Sequence, residues 1–130
     1  MATSEPAKLD NKGRLLIPSA MREYLRLRPD STLLLSLDNV GNRIVITPTN
    51  EKKLAFLTIG IPDKPGSLAR AAKTLADHGV DLITTESRSL SRGASAEWRV
   101  TCSADSLRDV TALKKALLAN GATRFEYHKN

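Results

Sequence analysis

Two short stretches of this chain carry side chains whose types and spacing suit chemistry. Residues 10–25 read DNKGRLLIPSAMREYL, with Arg14 directly after Gly13 and Arg22 further along. A glycine free to take φ > 0 turns the chain tightly. It would project Arg14 at a loop tip, with Arg22 on the short helical stretch that follows. Guanidinium groups placed in this way suit backbone phosphates, and an arginine can also fork to O6 and N7 of a guanine. Asp10 and Glu23 are the carboxylates near enough in sequence to neutralise them. The second stretch, residues 63–68, reads DKPGSL. Pro65 and Gly66 make a tight turn into a helix N-terminus, where free N–H groups attract a carboxylate. Asp63 beside them can take an ammonium group.

The remaining inventory argues against catalysis. The chain has two histidines, His78 and His128, and one cysteine, Cys102. No nucleophile stands at a known spacing from a base, no G-x-x-x-x-G-K loop occurs, and no metal-binding set exists. No catalytic residue, metal or cofactor is therefore expected, and an enzyme is not. A lone cysteine allows no disulfide within the chain. Trp98 and Cys102 read as packing residues and His78 as a surface residue near a helix end. Arg108, Lys114 and Lys115 read as one solvated helix face.

The elements that must hold these residues fall into two registers. From Ala7 to Thr47 the pieces are short: AKLD, RLLIP, the helical SAMREYLRL, then TLLLSLD and NRIVITP, joined by the turn signal NVG. Ser19 after Pro18 suits a helix N-cap, and Met21, Tyr24 and Leu25 recur at helical spacing. Leu33–Leu35 and Ile44–Ile46 are nearly continuous apolar runs, as in strands covered on both faces. So small a unit cannot cover them itself, which predicts a second copy of the chain. The polar TPTNEKK leads out of this region, with the linker proper at residues 49–53.

From Leu54 the register lengthens. LAFLTIGI reads as a strand. A helix after DKPG shows Leu68, Ala71, Ala72 and Leu75 on one face and closes at Gly79. DLITTESRSL and ASAEWRVTC read as strands around an SRG turn. A second helix runs between Ser106 as N-cap and Gly121, and TRFEYH is a last strand. The order is βαββαβ, the ferredoxin-like arrangement.

Length and charge agree with two small units and an anionic partner. The 130 residues are 41% apolar and carry a net charge of +6. The first fifty hold 7 basic and 5 acidic residues, net +2, and the rest 13 and 9, net +4. Net charge does not localise an anion site; the arginine clustering must. Apolar runs of about five residues span no membrane, and MATSEPAK lacks the regions of a signal peptide. A cytoplasmic, nucleoid-associated protein is expected.

The motif K-L-D-x-K-G-R-L-L-I-P-x-x-M-R-x-x-L, over about residues 6–48, resembles the swapped-hairpin DNA-binding domain of the AbrB, SpoVT and MazE type. That resemblance implies an interleaved dimer in which strands from two chains build one small barrel. It also implies double-stranded DNA contacts through Lys8, Lys12, Arg14, Arg22 and Arg26. IGIPDKPGSLARAAKTLADHGVDL resembles the start of an ACT domain, with D-x-P-G-x-L after the first strand. This implies an amino-acid or other small-metabolite site at a dimer interface, on Asp63, Pro65, Gly66, Ser67, Leu68 and, by family position, Asp81. Both aspartates stand where amino-acid-binding members often have Asn, and two carboxylates favour a cationic ligand such as lysine or arginine.

The fold class implied is α+β: an N-terminal AbrB-like swapped-hairpin β-barrel dimer (1–48), the linker, and a C-terminal ferredoxin-like βαββαβ ACT domain (54–130). The function implied is a DNA-binding transcriptional regulator whose ACT domain senses a metabolite, acting as a dimer or tetramer. Its rivals are an antitoxin-like or architectural DNA-binding protein whose ACT domain only mediates oligomerisation or protein binding, and a regulatory subunit that binds an enzyme rather than DNA.

Overall fold

The computed structural model describes residues 3–129. The chain divides into two compact units, Met1–Asn50 and Glu51–Asn130.

The first unit opens with a tight turn. Leu9 bridges Leu15 in antiparallel fashion. Asp10 closes the turn by accepting the N–H groups of Lys12 and Arg14 at 2.9 and 2.8 Å, and Gly13 takes φ +77°. Helix α1, Ser19–Tyr24, follows. Pro18, not Ser19, stands at the N-cap, and no side chain caps the helix. Proline's extended ψ sets the entry angle, so the serine falls one position too late to reach the free amides. Strands β1, Thr32–Asp38, and β2, Arg43–Thr49, form an antiparallel hairpin in which Leu35 faces Ile46. Thr47 and Pro48 belong to β2 rather than to the connection, which begins at Asn50.

Leu34 is the one buried apolar side chain of this unit among the described residues; Leu37 is 67% and Ile44 64% exposed. The continuous apolar runs are thus present as strands, but a single chain leaves Leu35, Ile44 and Val45 exposed.

The second unit is built differently. Its elements are β3, Leu54–Pro62; α2, Ser67–Asp77; β4, Leu82–Ser91; β5, Ser95–Ser103; α3, Val110–Ala119; and β6, Arg124–Lys129. The sheet order is β4-β5-β3-β6, antiparallel throughout. This is the expected ferredoxin-like βαββαβ arrangement. Alternation sends Ala55, Leu57, Ile59 and Ile61 of β3 and Ala96, Trp98, Val100 and Cys102 of β5 into one core with Ala71, Leu75, Leu113 and Leu117 of the helices. Each large side chain buried there contributes about 1.5–3 kcal/mol.

Three details depart from the sequence reading. The buried face of α2 holds Ser67, Ala71, Thr74 and Leu75, while Leu68 is 39% exposed. Helix α3 starts at Asp109, whose carboxylate accepts the Ala112 N–H at 2.9 Å. Ser106 instead ends a 3-10 turn (Ala104–Ser106), where its hydroxyl accepts the Asp81 N–H and donates to the Ser103 carbonyl. Arg108 consequently lies ahead of α3 rather than on its face with Lys114 and Lys115.

Candidate functional site

The DKPGSL turn connects β3 to α2. Gly66 sits at the α2 N-cap with φ +87°, a conformation that strains any residue with a side chain. The turn opens onto a cleft of about 290 Å³. Its floor is Ile61, Pro62 and Ala96, and its polar wall combines Asp63, Lys64 and Ser67 with Ser87, Arg88 and Ser89 of β4. Leu68 lines it too, which accounts for that residue's exposure. Of the six residues implied by the resemblance, Asp63, Ser67 and Leu68 meet here; Pro65 and Gly66 form the turn but are not on its walls.

Asp63 is engaged within the fold. Its Oδ2 accepts the Gly93 N–H at 2.8 Å and the Ser89 hydroxyl at 2.9 Å. These bonds, the Gly93 amide foremost, hold its carboxyl below the ordinary aspartate value. The carboxylate pins the β4–β5 turn to the β3–α2 turn through Oδ2, so a ligand ammonium competes with these donors only at that oxygen and not at Oδ1. Asp81 is not at this cleft. It precedes β4 beside Ser103, whose N–H its carbonyl accepts at 3.0 Å. Asp63 lies past Pro62, which pairs with Ser95 at the other end of the sheet. About nine strand residues, roughly 30 Å, separate the two ends. Within one chain the two carboxylates therefore do not meet, because β4 runs parallel to β3 and starts where β3 starts. Of the nearby cations, Lys64 lines the cleft and Arg92 adds to the lowering of the Asp63 carboxyl, while Arg88 pairs with Glu97.

Sequence reasoning missed Ser87, Arg88 and Ser89. The signal was there: TTESRSLS is polar on both faces, as befits an edge strand whose outer side meets solvent. It also missed Glu97, buried between Ala96 and Trp98 on β5 with its side chain 8% exposed. Its two oxygens meet Arg88 at 3.3 Å, Arg99 at 3.1 Å and Arg124 at 2.8 Å, tying β4, β5 and β6 together across the face away from the helices. Trp98 and Cys102 are core residues, and burial pushes the Cys102 thiol up to about 11. His78 is exposed at the end of α2.

In the first unit Lys8, Lys12, Arg14, Arg22 and Arg26 are all exposed. Arg14 is not free: its Nε lies 2.6 Å from Asp10 Oδ2. The Arg14 backbone N–H and guanidinium together depress the Asp10 carboxyl. The paired arginine is nonetheless 72% exposed and reaches solvent. Arg22 and Arg26 border an open hollow beside α1. An apolar cavity of about 440 Å³ is lined by Leu15, Leu16, Ile17, Met21, Tyr24, Leu25, Leu27 and Ile46, among others.

A four-stranded antiparallel sheet backed by two helices, with a D-x-P-G turn opening a cleft at one end, defines a ferredoxin-like α+β domain. The chain belongs to the ACT domain family, which matches residues 55–119. Its members are typically small-molecule sensing and regulatory domains, amino acids being the usual ligands. The match does not extend to the first unit. Among solved structures, a formyltetrahydrofolate deformylase from Pseudomonas syringae pv. tomato is similar at 19% identity and a TM-score of 0.50, over 62% of this chain and 28% of that one. This likeness shows the fold alone. The ligand-free regulatory subunit of aspartate kinase from Thermus thermophilus is similar at 19% identity and a TM-score of 0.49, over 74% of this chain and 54% of that one. The chain thus spans less than two thirds of the length of either protein. No curated protein matches the sequence. Among the described residues no helix is long and apolar enough to cross a membrane, and no group of three acidic, His or Cys side chains can hold a metal ion.

Proposed function

We propose that this protein is a DNA-binding transcriptional regulator, not an enzyme, whose ACT domain senses a small metabolite of the amino-acid class. The observation that carries this reading is the state of the first unit: its strands leave Leu35, Leu37, Ile44, Val45 and Ile46 uncovered while its basic side chains point outward. A second copy interleaved with the first covers those faces, as the swapped-hairpin resemblance implies. It also presents Lys8, Lys12, Arg14, Arg22 and Arg26 twice on one side, matching the two-fold symmetry of duplex DNA. Such a protein works in the cytoplasm, on the nucleoid.

In the ACT domain, β4 is an unpaired edge. Antiparallel pairing of β4 with its counterpart in a second copy reverses one strand against the other. Asp81 of the second copy then approaches the Ser89–Gly93 end, where Asp63 lies. The site is completed only in the oligomer, which makes ligand binding and assembly one equilibrium. A ligand that favours one arrangement shifts DNA affinity by its differential affinity for that arrangement and no more. Lys64 favours a ligand whose carboxylate meets it, whereas the guanidinium of Arg88 is taken by Glu97 at 3.3 Å.

The bonds that occupy Asp63 favour a second reading, in which the ACT domain only mediates oligomerisation. A thermal-shift screen of the amino acids at millimolar concentration separates the two, because a ligand bound to the folded state raises the midpoint by mass action. A sensor shows a saturable rise with one amino acid, and that amino acid changes the midpoint of a duplex-DNA titration. A flat screen together with intact DNA binding supports the oligomerisation reading.

A further inference from the structure

The hollow beside α1 is lined by Ser19, Arg22, Glu23, Arg26, Leu27 and Arg28 and measures about 400 Å³. Three arginines border it against one glutamate. Unlike Arg14, which pairs with Asp10, and Arg43, which pairs with Asp38 at 2.8 Å, none of these three guanidinium groups has an ion-pair partner among the described residues. Arg28 is fixed at its backbone, where its N–H is donated to the Ser31 hydroxyl at 2.7 Å.

Backbone geometry singles out Arg26. It takes φ +55° directly after the α1 C-cap, Leu25. Its N–H is donated to the Glu23 carbonyl at 3.1 Å, and the Leu27 N–H to the Arg22 carbonyl at 2.8 Å. This is the Schellman closure, in which the left-handed residue is normally glycine. The same chain closes its other two helices in the same way with glycine. Gly79 and Gly121 take φ +70° and +103°, with Val80 N–H donated to the Leu75 carbonyl and Ala122 N–H to that of Leu117. Where glycine would relieve strain, α1 carries an arginine that lines the hollow together with two others. Strain of this kind persists where the side chain serves a purpose.

We propose that Arg22, Arg26 and Arg28 together seat one backbone phosphate of duplex DNA, with Arg26 and Arg28, rather than the Asp10-paired Arg14, supplying the principal anion contact. Forked guanidinium donors match phosphate oxygens. The inference rests on the DNA-binding reading above and adds Arg28 to the candidate contacts.

The test is a fluorescence-anisotropy titration of the full chain with a duplex across a salt series, with a thermal midpoint for each variant. Arg28→Ala is expected to weaken binding at least about tenfold. It should also make the log K against log salt slope shallower by about 0.9 for each copy on the DNA, equally for unrelated sequences. Arg28→Lys keeps the charge and loses the fork, so it should retain the slope and lose part of the affinity. Arg26→Gly is expected to raise the thermal midpoint while weakening DNA binding, a pairing that a purely structural arginine would not give. Wild-type binding with Arg28→Ala and Arg26→Gly unchanged in affinity and slope overturns the inference and leaves the DNA-binding reading standing. Wild type that binds no duplex overturns both. Inorganic phosphate that raises the wild-type but not the Arg28→Ala midpoint, while duplex affinity is the same for the two, makes the hollow a free-anion site and likewise overturns the inference.

Discussion

Two carboxylates illustrate what a residue's neighbours do to its role. Asp63 was legible in the sequence as the first residue of D-x-P-G, but its partners were not, because Ser89 and Gly93 lie 26 and 30 residues away. Its carboxyl is held below the ordinary value in the folded state, so it contributes stability that is present above the unfolded pKa. That stability is lost as pH falls through the folded pKa. Asp63→Asn is therefore expected to lower the thermal midpoint at neutral pH and to flatten its fall on acidification below about pH 4, as a calorimetric pH series would record. Glu97 was hidden for the opposite reason: on β5 it reads as the polar half of an alternating strand, yet three arginines enclose it. Glu97→Gln leaves Arg88 and Arg99 without that anion, while Arg124 keeps only Glu126 at 3.6 Å. A loss of about 1–3 kcal/mol in urea denaturation is expected, most of it suppressed if Arg124 is also replaced. Cys102, buried with its thiol raised to about 11, should react with a thiol reagent only at the rate of unfolding; rapid modification of the native protein would show that β5 opens at that point.

At the scale of elements, periodicity carried most of the information. The alternation of β3 and β5 and the glycines closing α2 and α3 made βαββαβ readable, because each signal is local. The helix starts were misplaced because Ser19 and Ser106 have the right type but not the right position; Pro18 and the 3-10 turn decide the phase. The buried stripe of α2 is displaced for a related reason, since Ser67 and Leu68 both line the cleft but Ser67 is buried there and Leu68 is exposed. Gly79 gives a clean test of the closures. A Cβ added there meets nothing within 4 Å, so Gly79→Ala reports backbone conformation alone. It should cost about 1–2 kcal/mol, measured by chemical denaturation, without altering ligand or DNA binding.

For the whole molecule, the uncovered faces of β1 and β2 dominate. The second unit closes its own core, and the sequence showed this by helix-strand alternation sufficient for two layers. The first unit shows strands without cover, a deficit visible in the sequence as apolar runs in too short a segment. What no single sequence displays is the second copy that we propose covers them. Ile44→Glu on an exposed strand face should weaken self-association roughly a hundredfold in sedimentation equilibrium, since two apolar side chains are lost from the dimer. The core of the second unit should be unaffected. The central claim is that two first units form one surface for duplex DNA. Anisotropy of a labelled duplex titrated with the full chain from 50 to about 200 mM salt tests it most directly. Binding at two chains per site is expected, with log affinity falling linearly against log salt at a slope of several units. Absence of binding at the lowest salt, or binding by single chains with no salt dependence, would contradict it.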